Sequence, residues 1–334
     1  MSEKLKDTDY LFLSARVKAM ENSLLTRERM EQILEARSDE EAVKLLQENG
    51  YPEFSTEKPE EMDAALSSVR EGALNDLGDC APDRRFLDVF KLKYDYHNAK
   101  AILKAEAMGT DPGRMLTDLG RVPAQMLEDA VKSSDYGELP PLLAAAIAEA
   151  REVLGTTRDP QLSDIVLDRW CYQDMAHVAE ETDSDFLRGY VRIVIDAANL
   201  RTLVRTLRMG KNADFLKGVL FEGGEIDADA VLAVSAANGA GLAELYAPTR
   251  LAGAAETGAA VLSGGALTGF EKLCDNAVSD YLAGAKYVAF GEAPLIAYLA
   301  ARETEFMNLR ILLTGRAAGL APDVIRSRLR ESYV

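Results

Sequence analysis

Asp95-x-x-Asn98-Ala99-Lys100-x-Ile102-Leu103 reads as one short helical phrase, with Gly109 beyond it. The phrase returns as Asp196-x-x-Asn199-Leu200-Arg201-x-Leu203-Val204, with Gly210 beyond, and again as Glu305-x-x-Asn308-Leu309-Arg310-x-Leu312-Leu313, with Gly319 beyond. Each glycine lies 11 residues after its Asn, and the Asn residues are 101 and 109 residues apart. Three copies at a near-constant pitch, with the terminator in step, make chance a poor explanation.

With the Asn at 0° on a helix, the apolar positions that follow fall at about 100°, 40° and 140°, a stripe that must face a core. The carboxylate three residues earlier falls at about 60°, inside that stripe. A carboxylate within an apolar face is costly unless it is hydrogen-bonded or paired. Asp95, Asp196 and Glu305 are therefore expected to hold a fixed polar partner from a neighbouring segment. A catalytic or metal role is the sharper reading. No second carboxylate recurs in step and only the first copy contains a histidine, His97, so the structural reading is preferred. Gly109, Gly210 and Gly319 are read as helix terminators, where glycine adopts the left-handed conformation at little cost.

Around the phrases the period is helical almost throughout. Tyr10, Leu13, Val17, Met20 and Leu24 recur at helical spacing, and Ser14-Ala15-Arg16 makes a loose fourth echo of the phrase without its acid. Thr26 to Ala36 reads as helix. Ser38-Asp39-Glu40-Glu41 reads as a capping box opening the next one, which ends near Asn49-Gly50. Longer helices are expected over about Pro59 to Leu77, Leu139 to Leu154, Leu162 to Glu181 and Gly269 to Tyr287. The stretch Met30-x-x-Ile33-Leu34 leading to Tyr51 is echoed by Met126-Leu127 leading to Tyr136 and by Val231-Leu232 leading to Tyr246. Glycine weakens the helical reading between 236 and 269, where no boundary is placed. Val191 to Ile195 could pass for a strand, but helical spacing continues through Ala197, Leu200 and Val204. The expectation is an all-α chain in three similar units of roughly 105 residues, longer than a tetratricopeptide or HEAT repeat. The boundaries fall at 1–111, 112–213 and 214–334.

Composition narrows the function classes. The 334 residues are 48% hydrophobic, ample for buried cores, and the net charge of −17 argues against a phosphate-backbone partner such as nucleic acid. Cys80, Cys171 and Cys274 are too few and too scattered for a disulfide framework or zinc site. The polar N-terminus is not a signal peptide, and no apolar run approaches the ~18 residues of a membrane span. There is no P-loop and no dinucleotide fingerprint, and Gly223-Gly224 and Gly264-Gly265 read as loop glycines. Two histidines, His97 and His177, leave no room for a histidine-rich metal site. Acidic stretches such as Glu180-Glu181 and Asp183-Ser184-Asp185 read as solvated surface, and Trp170 as a packing residue. No cofactor is expected, and no catalytic residue can be named.

The opening Tyr10-x-x-x-x-Ala15-Arg16-Val17-x-x-Met20-Glu21-x-x-Leu24-Leu25, with the three Asp/Glu-x-x-Asn-x-Lys/Arg helices, resembles the C subunit of V-type and A-type ATP synthases. The C subunit is homologous to the d subunit of the eukaryotic vacuolar ATPase. The resemblance covers essentially the whole chain; its departures are Glu305 in place of Asp and the missing acid near Ser14. It implies a funnel of three helical domains about a pseudo-threefold axis. It also implies a non-catalytic central-stalk part, peripheral to the cytoplasmic face of the membrane. Such a part is a socket between the proteolipid ring and the shaft of subunits D and F, serving H⁺ or Na⁺ transport. Two competitors stand beside it. An all-α metal-dependent enzyme would need an Asp-rich Mg²⁺ motif, which the sequence lacks. A generic helical scaffold for another protein partner would share the composition.

Overall fold

The computed structural model describes residues 5–56, 58–331 and 333. In chain order the α-helices are α1 (Leu11–Glu21), α2 (Arg27–Leu34), α3 (Asp39–Gln47), α4 (Pro59–Gly78), α5 (Arg85–Met108), α6 (Ala124–Ser133), α7 (Pro141–Thr157) and α8 (Pro160–Glu181). They continue as α9 (Asp185–Arg208), α10 (Ala213–Lys217), α11 (Ala228–Ala236), α12 (Leu242–Tyr246), α13 (Ala252–Leu262), α14 (Leu267–Ala283), α15 (Glu292–Ala317) and α16 (Pro322–Arg328). No strand occurs among the described residues, so the all-α expectation holds. Val191 to Ile195 lies inside α9.

The caps follow local chemistry. Thr26, Ser38, Asp159, Ser184, Asn212 and Asp227 each accept a first-turn backbone N–H with a side-chain oxygen. The expected capping box at Ser38 differs in one bond. Ser38 accepts from the N–H of Glu41, but the Glu41 carboxylate reaches back to the N–H of Arg37, one residue further than the motif requires. The first helix also starts differently. Asp7–Tyr10 is a 3-10 turn, and α1 stops at Glu21, where Asn22 and Ser23 turn the chain.

The chain divides into two compact units. One is discontinuous in sequence, comprising 1–84 and 241–334; the other is 85–240. In the second, α8 packs against α5, α7 and α9, and α6 and α11 lie on α5 and α9. In the first, α15 packs against α1, α2, α4, α14 and α16. Its apolar side chains Phe306, Leu309, Leu312 and Leu313 share a core with Leu25, Met30, Ile33, Leu46, Tyr51 and Ile325. Positions 111/112 and 213/214 both lie within the second unit, where side chains on α5 and α9 bond to the segments that follow those helices.

Candidate functional site: three carboxylate–amide clasps

The phrases lie on α5, α9 and α15, the three longest helices among the described residues. Each helix ends alike. Gly109, Gly210 and Gly319 have φ of +63°, +68° and +68°. The residue after each glycine donates its N–H to a carbonyl one turn inside the helix: Thr110 to Ala105 at 2.9 Å, Lys211 to Thr206 at 3.1 Å and Leu320 to Gly315 at 3.0 Å. This satisfies the last-turn carbonyls in a conformation that suits glycine.

The three Asn residues are buried and bond the same way. Asn98 Nδ2 donates to the Thr117 carbonyl at 2.7 Å, and the Thr117 N–H donates back to Oδ1 at 3.0 Å. Asn199 exchanges the same pair with Phe221 at 2.8 and 2.9 Å, and Asn308 with Arg330 at 3.0 and 2.8 Å. A side-chain amide that mimics a strand neighbour satisfies two backbone groups of a segment with no ladder of its own. On α1, the echo residue Ser14 is buried and donates to the Gly291 carbonyl at 3.3 Å.

The acids are 0%, 3% and 4% exposed for Asp95, Asp196 and Glu305, so none is available to a solvent-borne substrate. Asp95 accepts the Val122 N–H at 3.1 Å, and Asp196 the Ile226 N–H at 3.1 Å and the Glu225 N–H at 2.9 Å. Glu305 accepts the Leu25 N–H at 2.5 Å and the Tyr51 hydroxyl. Val122, Ile226 and Leu25 each stand immediately before the N-cap residue of a short helix: Pro123 of α6, Asp227 of α11 and Thr26 of α2. Each carboxylate thus fixes the entry to the helix that opens the next stretch of chain, and the third returns to the first such helix.

Close approach demands glycine at two clasps. A Cβ on Gly120 would lie 2.2 Å from Asp95 Oδ1, and one on Gly224 would lie 2.1 Å from Asp196 Oδ1. Both glycines sit two residues before the clasped N–H. At the third clasp that place is Ser23, and the acid is the longer Glu305, which reaches from one methylene further away.

The clasps differ in counter-charge. Arg121 Nε meets Asp95 Oδ2 at 3.0 Å, and its Nη2 meets buried Asp174 at 2.7 Å, which also accepts the Tyr96 hydroxyl at 3.2 Å. Arg302 bonds Glu305 Oε1 at 2.6 Å, the Tyr298 hydroxyl and Ser23 Oγ. Asp196 has no ion-pair partner among the described residues. Burial raises Asp95 above the ordinary carboxylate range, against the opposing bonds from Val122 and Arg121. Burial also raises Asp196, against the Glu225 and Ile226 N–H bonds, and the Glu225 charge adds to the rise.

The basic residues of the phrase are less uniform. Lys100 pairs with Asp168 on α8, and Arg310 with Asp63 on α4 at 3.2 Å in an exposed position. Arg201 lies near Tyr172, where burial pushes the phenol up to about 12 and the Arg201 charge opposes it. Such partly exposed pairs contribute ~0–1 kcal/mol each. Sequence reasoning missed Gly120, Arg121, Gly224 and Arg302. The shared signal was a glycine 25 and 28 residues after the acid in the first two copies.

Among the described residues no group of three His, Cys, Asp or Glu is placed to hold a metal ion, and no helix is long and apolar enough to cross a membrane. Trp170 Nε1 donates to Glu149 at 2.7 Å, and Cys171 and Cys274 are buried free thiols. The three long helices thus share one arrangement of a clasped acid and a paired amide. The sequence profile of the family described as ATP synthase (C/AC39) subunit matches residues 13–328, and the chain belongs to that family. It is 25% identical to the C subunit of the V-type sodium ATPase of Enterococcus hirae, over 97% of this chain and 99% of that one. It is also 25% identical to the C subunit of the A-type ATP synthase of Methanocaldococcus jannaschii, over 96% of this chain and 86% of the relative. Against the corresponding A-type ATP synthase C subunit of Haloferax volcanii it is 29% identical, over 79% of this chain and 80% of the relative.

Proposed function

We propose that the chain is a non-catalytic rotor part of a V/A-type ATPase or ATP synthase: a socket that joins the central shaft of subunits D and F to the proteolipid ring. It would lie on the cytoplasmic face of the membrane, held there by its partners. The observation that carries this reading is the closed order of the clasps. The acid of the first phrase fixes the entry to α6, that of the second the entry to α11, and that of the third the entry to α2. Such an order supports three similar domains arranged in a cycle, the pseudo-threefold plan that suits a body seated on a ring. The buried amides and the charge-paired acids Asp95 and Glu305 then act as stiffeners, which a torque-bearing part needs, and no pKa-tuned acid–base pair is called for. The differing sequences of the three copies leave the walls free to be specific for an asymmetric shaft.

A pull-down of the purified chain with its host's D–F shaft and proteolipid ring, over a salt series, tests the proposal. Capture of both, weakening as salt screens polar contacts, is expected, with no ATPase activity from the chain alone. Capture of neither would leave a helical scaffold for some other protein.

A further inference from the structure

We infer that the second clasp, Asp196 on the entry to α11, is a built-in compliant joint, and that α11 with the turn beyond it yields before the equivalent segments at α6 and α2. The three clasps allow an internal comparison, because each holds the N–H before an N-cap residue. At the first, the residue between the close-approach glycine and the clasped N–H is Arg121, whose guanidinium ties Asp95 to Asp174. At the third, Arg302 supplies the cation to Glu305. At the second, the position of Arg121 is taken by Glu225, which brings like charge to a carboxylate already 3% exposed. A buried carboxylate without a counter-charge retains most of its desolvation cost, so its two backbone bonds are the least well supported of the three sets. The cations lining the cleft beside Gly224 do not replace Arg121. Arg188 is engaged by Glu180, Asp183 and Asp185, and Arg192 is exposed and forms no ion pair with Asp196.

The backbone beyond α11 carries a second, independent mark. The chain passes from one compact unit to the other between Ala240 and Gly241. Around that point Asn238, Gly239 and Gly241 have φ of +53°, +89° and +84°. Three left-handed residues in four, two of them glycine, make a connection that can absorb a large φ/ψ change. The weak clasp and the permissive turn bracket α11, a nine-residue helix. Both observations are local, so the inference stands whether or not the rotor reading does.

Amide hydrogen exchange on the intact chain tests it, comparing Ile226 with Val122 and Leu25 after correction for intrinsic rates. Protection at Ile226 is expected to be lower by about tenfold or more, with the 226–241 segment opening together. Equal or greater protection at Ile226 would overturn the inference. The Glu225→Arg variant, at an exposed position, separates cause from coincidence. It is expected to raise Ile226 protection several-fold and leave Val122 and Leu25 unchanged; no change at Ile226 would overturn the charge argument.

Discussion

Gly224→Ala removes no contact and adds one methyl, yet it should be among the more damaging single substitutions in the chain. The new Cβ would stand 2.1 Å from Asp196 Oδ1 and 2.9 Å from Cγ. Oδ1 must retreat by about 1 Å to reach ordinary contact, and in doing so it leaves the Ile226 N–H that it now accepts at 3.1 Å. Losing a hydrogen bond to a buried charge costs ~1.5–3 kcal/mol, and the stranded N–H adds to it, so the loss should be about 2–4 kcal/mol. For a unit of this size that is a fall in Tm of about 3 °C per kcal/mol, or roughly 6–12 °C. Thermal and urea melts of wild type, Gly224→Ala, Asp196→Ala and the double variant form the assay. Once Asp196 is truncated the methyl has room, so the double variant should be no worse than Asp196→Ala alone by more than about 0.5 kcal/mol. Additive losses would refute the close-approach argument, and an undamaged Gly224→Ala would refute it outright.

Other perturbations separate the remaining parts. Arg121→Ala strands Asp95 and Asp174 without their shared cation and should cost ~3–5 kcal/mol in urea unfolding, while Arg310→Ala at the exposed pair should cost under about 1 kcal/mol. Asn308→Ala leaves the Arg330 N–H and carbonyl unpaired and should lower stability by about 1–3 kcal/mol; faster exchange of the Arg330 amide would report it directly. Asp95 and Asp196 have folded-state pKa values above the ordinary carboxylate value. The folded chain therefore keeps their protons when the unfolded chain has lost them. Their contribution to stability falls as pH rises from the ordinary carboxylate range through the raised values, and is flat above. The wild-type stability minus that of Asp196→Ala should show that slope. If the chain binds the D–F shaft as proposed, Asp196→Ala should leave the affinity of the surviving folded protein for it unchanged; a sharp loss of binding without loss of stability would mean that the acid meets a partner.

How far the sequence speaks for this fold depends on whether cause and consequence lie close together. Amphipathic spacing makes α5, α9 and α15 readable, and the 11-residue step from Asn to Gly makes their ends readable. An acid inside an apolar stripe announces that a polar partner is needed, which is a statement about one helix alone. The partner's identity is another matter. Asp95 finds Val122 27 residues on, but Glu305 finds Leu25 280 residues back, and nothing in either segment's composition names the other. Arg121 and Arg302 look like ordinary surface cations in the sequence, since a charge's burial depends on what is packed over it. Gly224 reads as a loop glycine because its need is steric rather than conformational: it lacks a left-handed φ, and only the approach of Asp196 excludes a Cβ. The glycine-rich stretch from 236 to 269 shows no boundary, because helix propensity there is weak and burial of Leu242, Tyr246, Leu251 and Val261 decides where α12 and α13 form.

The most direct test of the rotor socket is ion transport by the assembled complex in vesicles, with and without this chain. Without it, ATP hydrolysis by the catalytic sector should continue while ATP-driven ion uptake is lost, and adding the purified chain back should restore uptake. Unchanged uptake in its absence would contradict the claim that this chain joins shaft to ring.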